Sequence, residues 1–230
     1  MKNIFILVLS IYTLCSFSQD NNLVIQENLR SLKNTNLAFG NGAWIPGKVE
    51  DKTITGSVYL FPSWNGIIKI IAKKGDTKQL LNLNYNIKTK DIEAFISNDS
   101  VFQFDKNQFD YIIQSNKKYK VIDEGELNGL FYEVYNGEKI KLYKEYTISI
   151  QGGTFNPLTQ EKIELDKYVQ NYNYYIFKDN KFEKVKLSKK DIFKYLSDKK
   201  ETLKEFVKKN DLDFSSDEDI KVILNYYNSL

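Results

Sequence analysis

Residues 140–150 read "IKLYKEYTISI", and the alternation in this stretch decides the fold class. Ile140, Leu142, Tyr146, Ile148 and Ile150 fall on one side of an extended chain, with Lys144 the single charge among them. Lys141, Tyr143, Glu145, Thr147 and Ser149 fall on the other. Successive side chains of a strand point to opposite faces, so this period of two marks a half-buried strand. The rhythm extends outward from Ala43 to about Leu187. Leu81, Leu83 and Tyr85 alternate with Asn82, Asn84 and Asn86, and Ile92, Ala94 and Ile96 alternate with Glu93, Phe95 and Ser97.

Turn signals separate these runs at Lys74-Gly75-Asp76, Thr89-Lys90-Asp91, Asn98-Asp99-Ser100, Asp105-Lys106-Asn107 and Ser115-Asn116-Lys117. Asn136-Gly137 is the strongest, because a two-residue type I′ turn needs positive φ at both positions. Asp179-Asn180 is a second candidate. Even spacing of short strands reads as a meander, a sandwich or a partly closed barrel. From Ser188 the period lengthens: Ser188 with Asp191, Asp198 with Glu201 and Ser215 with Glu218 read as capping pairs ahead of three short amphipathic helices. Helices this short need tertiary packing. The expected fold class is α+β, with a mostly antiparallel β-rich region over 43–187 and a three-helix segment over 188–230 packed on it.

The N-terminus reads as a separate element. Lys2, the apolar run "IFILVLSIYTLC" (Ile4–Cys15) and the small residues of Ser16-Phe17-Ser18 form a secretory signal with cleavage after Ser18. The apolar run falls short of the roughly 20 residues that span a bilayer. Lipidation of Cys15 is disfavoured by the bulky Leu14 before it. Residues 19–42 then read as a linker, and no transmembrane segment is expected in the mature chain. The expected location is periplasmic or extracellular, with peripheral attachment to the outer membrane as a further option.

Removing that leader removes Cys15 and Met1, the only cysteine and methionine, and the chain has no histidine. Cysteine and Ser-His nucleophiles, zinc sites built on His or Cys, iron–sulfur clusters, His-ligated haem and disulfides are thereby excluded. No cofactor or metal is expected. A net charge of +3 with Arg30 as the only arginine argues against nucleic acid. With 42% hydrophobic residues the chain can close its own core.

The segments "GSVYLFPSWNG" (56–66), "LNYNIKTKDIEAFISNDSVFQF" (83–104), "GLFYEVYNGEKIKLYKEY" (129–146), "GTFNPLT" (153–159) and "DFSSDEDIKVILNYYNSL" (213–230) together resemble a family of small exported proteins common in Bacteroidota. The resemblance implies export and a β-then-helical layout. It assigns no functional residues.

Candidate sites therefore rest on the residues alone. "DLDFSSDEDIKV" (211–222) places Asp211, Asp213 and Ser215 at alternate positions as a calcium loop would, but Ser216 and Val222 stand where that loop needs glycine and a bidentate glutamate. It reads instead as an acidic helix cap. The lysines from Lys181 to Lys209 interleave with acids and read as a solvated face. Glycoside hydrolysis asks for two carboxylates about 5–10 Å apart; Asp91 and Glu93, two apart on one strand, share a face, but nothing marks them out from the other acids. Trp44 and Trp64 offer aromatic platforms for sugar; Trp64, between Pro62 and the strand "IIKIIA" (67–72), reads as cover for the sheet edge with Tyr59 and Phe61. The long irregular connection 151–170 is of the kind that carries function more often than a short one, but it reads first as a surface loop with no ligand. Three functions stay open: an exported, non-enzymatic binding or structural module of the cell envelope with a protein or glycan partner, a carrier of an apolar ligand in a curved sheet, and a carboxylate hydrolase.

Overall fold

The computed structural model describes residues 42–46, 53–64, 66–97 and 100–230. The leader, most of the 19–42 linker, the Asn98-Asp99 turn and the Trp44 side chain lie outside the described residues. The strands are β1 (Gly42–Pro46), β2 (Ile54–Thr55), β3 (Ile67–Ala72), β4 (Thr77–Leu81), β5 (Leu83–Asn86), β6 (Asp91–Ser97), β7 (Ser100–Phe104), β8 (Phe109–Gln114), β9 (Lys117–Glu124), β10 (Leu127–Asn136), β11 (Lys141–Gln151), β12 (Asp166–Lys178) and β13 (Lys181–Val185). Three helices follow: α1 (Lys189–Tyr195), α2 (Lys200–Lys209) and α3 (Asp217–Ser229). No helix among the described residues is long and apolar enough to cross a membrane.

The larger sheet runs β13-β12-β11-β10-β9-β8-β3-β4, and β2 joins β12 in parallel. The smaller runs β1-β7-β6-β5, in which β5–β7 are a chain excursion between β4 and β8 and β1 is contributed from ahead of β2. The other strand pairings are antiparallel, and neither sheet closes into a barrel. One core joins both sheets and the helices, with Leu83, Phe109, Ile112, Leu142, Leu203 and Ile223 among its fully buried members. On the opposite face of the larger sheet, Ile122, Phe131 and Tyr143 form a second, smaller cluster.

Ser115-Asn116 and Asp179-Asn180 make the tight hairpins, with φ of 48° and 64° and of 52° and 58°. Asn136-Gly137 does not, contrary to its sequence signature: neither residue has positive φ, and the loop spans the four residues 137–140, closed by Gly137 N–H donating to the Ile140 carbonyl (3.1 Å). Glycine is needed there for close approach instead, since a Cβ would run into the Tyr135 ring and the Asn228 side chain. The same Asn228 accepts from Lys139 N–H (3.0 Å) and ties the hairpin to the end of α3.

Three alternations read differently in the folded chain. The strand "IIKIIA", apolar on both faces apart from Lys69, reads in sequence as covered from both sides, but only Ile68, Ile70 and Ala72 are buried and Ile67 is 64% exposed, so β3 is covered on one side. Asn84 and Asn86 do not face water; both are buried with the whole of β5. Lys144, the apparent intruder on the β11 apolar face, pairs with Asp217 at 2.8 Å in a largely dry setting, the two side chains 12% and 17% exposed. Its ammonium lies 4.3 Å from the Tyr172 ring centre, and Tyr174 donates to the same Asp217 (2.6 Å).

Two of the three capping pairs shift. Ser188 caps α1 as its spacing predicts, accepting from Asp191 N–H (3.2 Å). Asp198 caps nothing in this way and accepts from the Tyr227 hydroxyl (3.0 Å), while α2 starts without a side-chain cap. At α3 the cap is Ser216, accepting from Asp219 N–H (3.2 Å), one residue beyond Ser215. Ser216→Ala should therefore cost about 1 kcal/mol in chemical denaturation and Ser215→Ala clearly less; the reverse order would restore the cap to Ser215.

Burial pushes the hydroxyls of Tyr146 and Tyr175 up to about 12 and raises those of Tyr59, Tyr85, Tyr119, Tyr143 and Tyr174 in the same direction. An unfolded tyrosine ionises near pH 10. The fold binds these protons more tightly, so their contribution to stability is complete below about pH 10 and is lost as pH climbs through the folded values. Alkaline unfolding is expected above pH ~10, with tyrosinate absorbance rising together with loss of sheet circular dichroism. Full tyrosine ionisation in a chain that keeps its sheet signal would contradict this.

Candidate functional site

β10 and β11 pair from Asn136↔Lys141 to Phe131↔Glu145 and then part. Beyond the fork, Leu127–Leu130 of β10 pair with β9, and Tyr146–Gln151 of β11 pair only with β12 among the described residues. The fork is held open by the smaller sheet. Tyr85 of β5, 3% exposed, inserts its hydroxyl to accept from Leu130 N–H at 3.2 Å, where a continued β11 would have paired. Gly129 has φ +136° and a Cβ there would collide with that hydroxyl, so glycine is required for the wedge to enter.

The turn after β5 then stands beside the freed edge of β11. Between them runs an open groove of about 340 Å³, lined by Ile87, Lys88 and Lys90 on the turn side, by every residue from Glu145 to Ile150, and by Tyr168. Consecutive β11 residues line it, so it follows the strand's edge and not one face. Glu145 is largely committed: it meets Lys90 at 3.7 Å and accepts from Asn173 (3.3 Å) and Tyr175 (3.0 Å). Lys88 lies over the Tyr168 ring, 5.5 Å from its centre, and no ion pair joins it among the described residues.

At the end of β11 the connection to β12 is an internally hydrogen-bonded knuckle. Asn156 Oδ1 accepts from Leu158 and Thr159 N–H (2.9 and 3.3 Å), Ile163 N–H donates to the Thr154 carbonyl (2.9 Å), and Phe155 bridges Lys162. Lys162 Nζ, 2.8 Å from Asp166, holds that carboxyl below its ordinary range, helped by Gly153 N–H. This ordered turn carries Leu158 at 92% exposure, with Phe155 and Ile163 also exposed beside it. A preorganised apolar tip costs less to bind than a floppy one.

The residues singled out from sequence fall elsewhere. Glu93 is 1% exposed and accepts from the Tyr59 hydroxyl (2.7 Å) and Asn86 (3.0 Å); Asp91, on the same strand, is half-buried. Trp64 is half-buried, edge-on to Tyr59 at 4.6 Å and tilted against Phe95 at 5.9 Å, while Phe61 packs on Tyr119. Asp213 and Asp219 serve the 211–219 loop, accepting from Ser215 N–H (3.0 Å) and Asp213 N–H (2.9 Å). The C-terminal lysines are mainly exposed, with Lys194 and Lys204 on Asp191 and Glu201. Only the 151–170 connection belongs to the groove and knuckle, and it is shorter than expected, since β11 ends at Gln151 and β12 already starts at Asp166. The fork itself had one signal in sequence, the glycine of "LNGLF" inside a strand pattern.

Comparison with protein-family models, with curated proteins and with solved structures finds no match to this chain.

Proposed function

We propose that the chain is an exported, non-enzymatic binding module working in the cell envelope beyond the inner membrane, and that its partner is a protein engaged through the β11–β12 arm. The observation that carries this reading is the ordered knuckle with Leu158 at 92% exposure, continuous along β11 with the groove. Exposed apolar side chains on a hydrogen-bonded turn favour a protein surface over a glycan. A carrier of an apolar ligand is supported less, because the concavity is open and neither sheet closes. A carboxylate hydrolase is supported less, because Glu93 is buried in bonds to Tyr59 and Asn86.

The test is capture from envelope fractions on tagged protein, wild type against Leu158→Asp. The variant is expected to keep its melting temperature and to lose at least about tenfold of the captured partner, the effect of removing one well-packed anchor. Equal capture by both proteins, or capture of glycan alone, would overturn the reading.

A further inference from the structure

We infer that the groove receives an extended segment of the partner protein by strand addition to the edge of β11 that no described residue pairs, a conclusion that rests on the protein-binding reading above. The edge residues "YTISIQ" (146–151) offer backbone donors and acceptors over six positions, roughly 20 Å of strand. Folded proteins usually protect such an edge with lysine, proline or a cover of other chain. The other edges of these sheets follow that rule. β1 ends in Pro46, β4 carries Lys78, and β13 carries Lys181 and Lys184. β5 is covered, with Leu60 N–H on the Tyr85 carbonyl and Ile87 N–H on that of Val58 (both 2.9 Å). The outer edge of β12 is taken by β2 and β13 at its ends, and between them Gln170 donates to the Tyr59 carbonyl (2.6 Å). The β11 edge alone among these has neither lysine, proline nor a described cover, and it is rich in β-branched residues.

The groove's walls define what enters. Tyr146, Ile148 and Ile150 lie on one face of the edge strand and Thr147 and Ser149 on the other, so an added strand would alternate apolar and polar side chains. Lys88, which donates to the Tyr168 hydroxyl (3.5 Å), meets no carboxylate among the described residues, so the segment would carry an acid opposite it. A second copy of this chain does not fit. Each copy would bring its own 87–90 turn, which stands across the open groove from its β11 edge, into the space that the added strand takes.

The probe is a capped hexapeptide, Val-Thr-Val-Glu-Val-Thr, with a twin whose alternate amides are N-methylated so that side chains stay and donors go. On adding the peptide to purified protein, alternate amides within 146–151 should exchange at least about tenfold more slowly, and the twin should bind about tenfold or more weakly. Lys88→Glu should weaken the glutamate peptide and spare its glutamine analogue. Equal binding of the twin, no binding at ~1 mM peptide, or full protection of these amides in the free protein would each overturn strand addition. The two readings separate in the envelope capture. A partner that is held and is not displaced by the peptide leaves protein binding standing and removes strand addition, whereas a failure to capture any protein counts against protein binding while the peptide titration still decides the edge.

Discussion

Asp217→Ala is expected to destabilise the protein by about 3–5 kcal/mol, the usual cost of removing one partner from a buried ion pair. Asp217 holds Lys144 at 2.8 Å and accepts from Tyr174 at 2.6 Å, in the first turn of α3. Without it the Lys144 ammonium is left among Tyr146, Tyr172 and Tyr174 with ring faces and no counter-charge. The ring faces return only part of the lost attraction. Denaturant titration should show the loss, and the melting temperature should fall by roughly 10 °C. The paired replacement Lys144→Met with Asp217→Leu should recover most of it, since an apolar pair has no charge to leave stranded. A single variant within about 1 kcal/mol of wild type would mean that the pair behaves as a surface contact.

Asn84→Ala should cost about 3 kcal/mol. The Asn84 amide is fully buried, accepts from Phe61 N–H (3.0 Å) and donates to the Phe61 carbonyl (3.0 Å), so one side chain replaces two rungs of a ladder between 58–61 and β5. Alanine leaves a buried donor and a buried acceptor of Phe61 without this partner, which is dearer than the loss of the bonds themselves. Asn84→Asp should be worse although it is nearly isosteric, because a carboxylate oxygen would then face the Phe61 carbonyl where an N–H stood. If Asn84→Asp unfolds no more easily than wild type at neutral pH, the side chain is not making this exchange.

The same residue explains why the sequence was legible only in part. Period two placed the strands, and the shift near Ser188 placed the helices, because both are local consequences of side-chain direction. The alternation of Asn82, Asn84 and Asn86 with apolar residues read as a wet face. Asn84 and Asn86 are buried instead, Asn84 because its amide stands in for backbone opposite Phe61, more than twenty residues away in the chain. Asn136-Gly137 misled for a related reason: its glycine answers to Asn228, at the other end of the domain. The groove was less legible still. Nothing within 140–150 says that β10 will leave β11 after Glu145, since the cause is a tyrosine hydroxyl on β5. The long connection was legible only in part: 152–165 is irregular as length and composition suggest, but 166–170 belongs to β12, whose start at Asp166 the sequence did not mark.

The parallel pairing of β2 with β12 also has a consequence in time. Thr55 donates its hydroxyl to the Asp166 carbonyl across 111 residues of chain. A ribosome releases Ile54 and Thr55 long before Asp166 and Lys167 exist, and β3 likewise precedes its neighbour β8. The meander from β8 to β13 is built of consecutive hairpins with short connections apart from the knuckle, so its loop-closure entropy is small and it can nucleate early. β2 must wait without its partner strand, and the β3–β4 hairpin must wait undocked from β8, until that template is made, which assigns the slow step of folding, and the interval of greatest need for a holding chaperone, to the docking of residues 54–81.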